Sequence, residues 1–306
     1  MAVTSTAFQA DAHQQPHFAP HTSALHGAAP QQWAASDIQA LRDLAVSLAT
    51  DAGEMIRAKR PQHVVVAQTK STASDPVTEM DRATEKFLRD SIRQHRPYDA
   101  IMGEEGSNLP GTSGLTWILD PIDGTVNYVY GVADFAVSVA VVAGPPDPEQ
   151  WTQLAGCVHT VNTGRTYHAG LGLGAMRDGA RLGQITAPPT LAGTLTATGF
   201  GYASTRRAKQ AQVLTQVLPQ VRDIRRLGSS AIDLCITADG SVDMYYERGL
   251  NAWDFAAASL IASEAGVRVT GLRGRRANSD MLVAGRGPAV DQMVGLLERM
   301  GADSDE

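Results

Sequence analysis

The sequence predicts a layered α/β protein with antiparallel hairpins in its first half. Three observations lead there. Long stretches carry apolar residues at helical spacing, short apolar runs stop at turn residues, and strand-sized and helix-sized segments alternate in the second half. From the N-terminal side, Asp37 to Lys59 puts Ile38, Leu41, Leu44, Ala45, Leu48, Ala52, Met55 and Ile56 at helical spacing, with Ser36 as the expected N-cap. A second helix is expected from about Thr78 to His95, with Phe87, Leu88 and Ile92 inward. Trp117, Ile118 and Leu119 form a short apolar run, expected to be a buried strand that ends in a turn at Asp120-Pro121. Phe135 to Val142 alternates as a strand, and Leu154–Thr160 and Arg165–Ala169 flank the hairpin signal Asn162-Thr163-Gly164. Gly170, Gly172 and Gly174 lack the strand-to-helix setting of a dinucleotide site and read as a loop. Beyond them, Thr194–Thr198, Asp223–Arg226, Val242–Glu247 and Met281–Ala284 read as strands. Arg206–Leu218, Ser230–Ala238, Trp253–Gly266 and Pro288–Met300 read as helices, the third closed by a glycine.

Length and composition narrow the classes. A chain of 306 residues with 43% hydrophobic and 19% charged residues is a globular protein of one large domain or two intimately packed ones. Pro188-Pro189 marks a plausible boundary between subdomains of about residues 36–187 and 188–300. The net charge of −6 argues against a non-specific nucleic-acid binder and is neutral toward small anionic substrates. Cys157 and Cys235 both lie in apolar stretches, which fits buried thiols in a reducing cytoplasm. No stretch has the roughly 18 apolar residues of a membrane span, and no signal-peptide pattern is visible. Residues 1–35 are expected to be a disordered tail; His13, His17, His21 and His26 within it also admit a metal-binding reading.

Three acidic clusters carry the chemistry: Gly103-Glu104-Glu105-Gly106, Asp120-Pro121-Ile122-Asp123-Gly124-Thr125, and Trp253-Asp254 at a helix start. Each alone reads as a solvated turn or a helix-dipole partner. The second is harder to dismiss, because two carboxylates bracket a proline-fixed turn directly after a buried strand. Crowded like charges call for a cation, and Mg²⁺ prefers hard oxygen ligands. Gly124-Thr125 adds backbone N–H groups suited to an anion if a helix begins there. A phosphate ester needs such adjoining cation and anion sites.

The order Trp117, Asp120, Pro121, Ile122, Asp123, Gly124, Thr125, Asn127, Tyr128 resembles the first signature of the inositol monophosphatase family. Trp253-Asp254-Phe255-Ala256-Ala257, leading to Glu264-Ala265-Gly266, resembles the second. Lys70-Ser71, then Asp75, Val77, Thr78 and Asp81, then Gly103-Glu104-Glu105 follow the family order, and the likeness spans about residues 36–300. Arg225–Ala231 and Thr198–Tyr202 look most like bacterial members.

The resemblance implies a five-layer α-β-α-β-α sandwich of the sugar phosphatase type, a homodimer, inhibition by lithium and two to three Mg²⁺ ions. It implies that Glu104, Asp120 and the Ile122 carbonyl hold one ion, that Asp120, Asp123 and Asp254 hold another, and that a looser third uses Glu104. Glu104 and Thr125 would orient the attacking water, with Asp81 acting through Thr125 or a metal-bound water. Gly124 and Thr125 would grip phosphate, while Ser229, Ser230, Glu247, Asp123 and Asp254 would face the polyol or its phosphate. Lys70 and Glu105 have two readings each: support for the ligands, or a solvated loop residue.

Glu247 favours a neutral polyol and so myo-inositol 1-phosphate; histidinol phosphate and related monoesters are the alternatives. Fructose 1,6-bisphosphate would want a second basic site, and Arg222, Arg225 and Arg226 read better as a solvated strand edge. A role in binding RNA or transcription machinery is the alternative from another class.

Overall fold

The computed structural model describes residues 33–70, 76–183 and 185–304. The histidines of the expected tail, Ser71 and Asp75 lie outside the described residues. The chain opens with α1 (Ala35–Lys59), a hairpin of β1 (Val66–Thr69) and β2 (Pro76–Thr78), and α2 (Glu79–His95). Then follow β3 (Ala100–Gly103), β4 (Leu115–Asp123), the short α3 (Thr125–Tyr130), β5 (Ala136–Ala143), β6 (Thr152–Thr160), β7 (Thr166–Gly170), β8 (Gly174–Arg177) and β9 (Ala180–Arg181). Strands β3 to β9 form one seven-stranded sheet in chain order, antiparallel except for the β3–β4 pair.

The second half runs β10 (Leu195–Thr198), α4 (Ser204–Val217), β11 (Asp223–Arg225), α5 (Ser230–Ala238), β12 (Met244–Glu247), α6 (Ala252–Glu264), β13 (Arg268–Thr270), β14 (Leu282–Gly285) and α7 (Ala289–Arg299). Its sheet has the order β11-β10-β12-β14-β13, with β10 parallel to both neighbours.

The period of two in each strand builds the layers. Trp117 and Leu119 of β4 face α1 and α2, meeting Leu41, Leu48, Leu88 and Ile92. Ile118, between them, faces the other way into a core with Leu234 of α5 and Leu260 and Ile261 of α6. Tyr245 of β12 reaches that same middle core from the second sheet. Its neighbours Met244 and Tyr246 turn outward to Val213 and Val217 of α4 and Met293 and Leu297 of α7. The result is the expected five layers: helices, sheet, helices, sheet, helices.

α6 is apolar all round because both its faces are covered, and every residue from Phe255 to Ala262 is buried. Its alanines let the sheet come close. A Cβ added to Gly156 of β6 would lie 2.9 Å from both the Cα and the carbonyl oxygen of Ala257.

Two local expectations are corrected. Ala34, not Ser36, is the N-cap of α1, and Ser36 sits inside the first turn. The strand expected to stop at Asp120-Pro121 continues to Asp123. Its register with β5 shifts between Asp120 and Asp123, and at such a bulge a proline leaves no ladder hydrogen bond unmade. The short strands β1, β2, β3, β8, β9 and β13 carry too little periodicity to be read from sequence. No helix among the described residues is long and apolar enough to cross a membrane.

Because neither backbone can give way, Gly156→Ala is expected to lower the unfolding free energy by about 1–3 kcal/mol in urea denaturation. Gly183→Ala, with nothing within 4 Å of the new Cβ, should change it by less than about 0.5 kcal/mol.

Candidate metal centre

The bulged end of β4 and the first turn of α6 meet at one point. There a carboxylate oxygen from each of Asp120, Asp123 and Asp254 lies within 4.8 Å of the others. Each aspartate is anchored by a backbone N–H. Asp120 Oδ1 accepts from Ile122 N at 3.0 Å, across its own turn. Asp254 Oδ2 accepts from Asn251 N at 2.6 Å, the residue that caps α6. Asp123 Oδ2 accepts from Ala231 N at 2.7 Å and from Ser229 Oγ at 2.6 Å, at the start of α5. Each carboxylate is thus fixed at one oxygen by a backbone bond.

Glu104 stands beside the three aspartates on the turn after β3, and its charge adds to the upward push on Asp120 and Asp254. Lys70 Nζ lies 2.8 Å from Glu104 Oε1 and 2.5 Å from Glu105 Oε1. Burial pulls the Lys70 ammonium down, but the two glutamates outweigh it and hold its pKa above the usual lysine range.

Burial dominates the acids. It pushes Glu104 up to about 7 against the pull of Lys70. It pushes Asp123 up to about 6 despite the hydrogen bonds from Ser229 and Ala231. Asp120 and Asp254 are raised well above the usual range, by burial first and then by the neighbouring carboxylates. Such a set holds protons or a cation. All its donors are hard oxygens on fixed supports, so the residues fit Mg²⁺.

Beside this group stands Thr125, the first residue of α3, turned there by Gly124 in the left-handed conformation at φ 95°. Its hydroxyl lies 3.2 Å from Asp81 Oδ1 and 3.0 Å from the Ile122 carbonyl. Asp81 is raised by burial, and its other oxygen accepts from the backbone and hydroxyl of Thr78 in the capping box that starts α2.

On the far side Glu247 ends β12 and accepts from the Tyr245 hydroxyl at 2.7 Å. Burial raises it to about 7. Ser230 Oγ donates to the Asp254 carbonyl at 3.0 Å. Arg222, Arg225 and Arg226 are exposed, and Arg225 pairs with Asp223.

Sequence reasoning passed over two supports. The Ser229 hydroxyl is committed to Asp123 and to the N–H of Ile232. Glu85, buried on α2, binds the backbone of the Glu104-Glu105 loop. The available signal was an acid on the helix face shared by Asp81, Leu88 and Ile92.

The sequence profile of the inositol monophosphatase family matches residues 37–299, covering every element that supplies these groups. The chain belongs to the inositol monophosphatase family. It is thereby a metal-dependent phosphatase. Among the inositol monophosphatase relatives, the inositol-1-monophosphatase of Mycobacterium leprae is 41% identical over 283 residues, which cover 86% of this chain and 95% of that one. The Nus factor SuhB of Escherichia coli is 35% identical over 235 residues, 76% of this chain and 85% of the other. The solved structure of Mycobacterium tuberculosis SuhB superimposes with a TM-score of 0.70 at 39% identity, covering 87% of this chain and 98% of that one.

The raised acids set a sign. They bind more protons folded than unfolded, so the metal-free fold loses stability as pH rises from about 4, the usual carboxylate value, through the values near 6 and 7 of Asp123 and Glu104. A divalent cation that displaces those protons gains most where they have already left. The rise in Tm on adding Mg²⁺ is therefore expected to be small at pH 5.5 and larger at pH 8 by thermal-shift assay. An equal rise at both would contradict the assignment of these pKa values.

Proposed function

We propose that the protein hydrolyses myo-inositol 1-phosphate to myo-inositol and phosphate with two to three Mg²⁺ ions. The convergence of Asp120, Asp123 and Asp254 beside Glu104 carries the reading, joined to 41% identity with an inositol-1-monophosphatase. Glu104, Asp120 and the Ile122 carbonyl hold one ion, Asp120, Asp123 and Asp254 a second, and Glu104 contributes to a third. When bound, these ions supply Lewis-acid polarisation of the phosphate and acidify water.

The chain's own groups do the rest. Glu104 and the Thr125 hydroxyl orient the attacking water. With the Thr125 proton directed to Asp81, the hydroxyl oxygen is left to accept from that water, and Asp81 holds the proton passed on. The N–H groups of Gly124 and Thr125 receive phosphate oxygens. Glu247, Asp123 and Asp254 face the polyol hydroxyls or the ester, and Ser229 contributes by keeping Asp123 in place. Lys70 and Glu105 balance charge around Glu104 without taking part in the reaction.

Lithium is expected to inhibit by occupying a weak Mg²⁺ site. The family resemblance supports a homodimer, and the two buried free thiols suit a cytoplasmic setting. The 35% identity to a protein named a Nus factor supports a second reading, RNA or transcription-machinery binding beside catalysis. Salt-dependent retention on immobilised RNA tests that reading separately.

Asp120→Asn and Asp254→Asn should each lower kcat/KM at least about 100-fold, as expected for loss of a metal-site group; full activity in either would sink the metal assignment. Glu247→Gln should lower kcat/KM for inositol 1-phosphate about tenfold, about 1.4 kcal/mol, yet leave glycerol 2-phosphate nearly unchanged. A phosphate-release panel that also includes histidinol phosphate reads both effects. A clear preference for histidinol phosphate would overturn the substrate and keep the mechanism.

A further inference from the structure

Glu85 lies one helical turn after Asp81 on α2 and is 2% exposed. Its carboxylate points into the loop that carries Glu104. Oε2 accepts from Glu105 N at 2.7 Å, and Oε1 from Gly106 N at 2.7 Å. Arg89, one turn further along, donates from Nε to Oε1 at 2.7 Å and from Nη1 to the Ser107 carbonyl at 3.0 Å. Two adjacent turns of one helix therefore grip residues 105–107 at three backbone positions.

The loop is shaped to admit this carboxylate. A Cβ on Gly103 would sit 2.6 Å from Glu85 Cδ, and one on Gly106 would sit 2.7 Å from Oε1. Glu104 stands between these glycines, and its own carboxylate meets Lys70 instead of α2. The Arg89 ion pair offsets the Glu85 charge.

We propose that Glu85, fixed by Arg89, is a positioning residue that sets the Glu104 carboxylate for divalent-cation binding. The inference rests on the reading of Glu104 as a metal ligand. Since α2 also carries Asp81, one helix face would then set both Glu104 and the Thr125 hydroxyl.

The full-length protein tests this with Mn²⁺ as the probe, its free concentration followed by electron paramagnetic resonance. Glu85→Gln replaces one of the two accepting oxygens with an NH2 group that cannot accept from the loop N–H facing it, and removes the charge that pairs with Arg89. Gly106→Ala pushes the intact carboxylate aside. Each is expected to raise the Mn²⁺ Kd about 10–100-fold, the range for disturbed supports of metal ligands, with kcat recovering at high Mg²⁺. In a Glu85→Ala background the Gly106→Ala effect should shrink, because the nearest group it strikes is gone and only the flexible Arg89 guanidinium, 3.0 to 3.1 Å from the new Cβ, is left to yield.

Should Glu85→Gln not fold, Gly106→Ala alone still decides the matter. Unchanged Mn²⁺ affinity in the variants, with only a lower Tm, would overturn the positioning role and leave Glu85 a purely structural anchor. Absence of Mn²⁺ binding by the unaltered protein would instead overturn the metal assignment, and this inference with it.

Discussion

Like-charge crowding in a buried place governs this molecule. Asp120 and Asp123 are buried, and Glu104 and Asp254 are half-buried against them. Removing an ionised carboxylate from water costs several kcal/mol even after relaxation. A hydrogen bond to a charged group returns about 1.5–3 kcal/mol. The anchoring N–H groups therefore aim the carboxylates without neutralising them. Protons close the gap at low pH, and a hard cation closes it at neutral pH.

The anchors are borrowed from helix starts. Asp254 closes the first turn of α6, Asp81 does so for α2, and Ser229 caps α5 while holding Asp123. A helix N-terminus offers N–H groups that want an acceptor, and a carboxylate that accepts there is oriented and electrostatically favoured. The same bonds that begin three helices thus aim three side chains. Disturbing one of these caps would move the site and loosen the helix together. This coupling explains why residues so far apart in the chain can be held to hydrogen-bond precision.

What sequence made legible follows physical range. Asp120, Asp123, Thr125 and Asp254 stood out because they lie in dense local patterns at element ends. The limits of α5 and the hairpin at Asn162–Gly164 were readable because helical spacing and turn chemistry are local too. Glu85 and the commitment of Ser229 were not, because their partners lie 20 to 106 residues away and nothing near them announces the pairing. β4 misled for a related reason. Asp120-Pro121 is a turn signal taken alone, and only the pairing with β5 turns it into a bulge within a continuing strand.

The middle helical layer has a consequence for how the molecule is made. Asp123 waits for Ala231, 108 residues later, and Asp254 comes later still. At about 5–20 residues per second, the ribosome needs roughly 5–20 seconds to deliver that partner. During this interval the first sheet has emerged with its acids but without the helices that bury and aim them. The acids stay hydrated, ionised and only loosely attractive to cations. Assembly of the full acid set is thereby deferred to the moment the last layers dock.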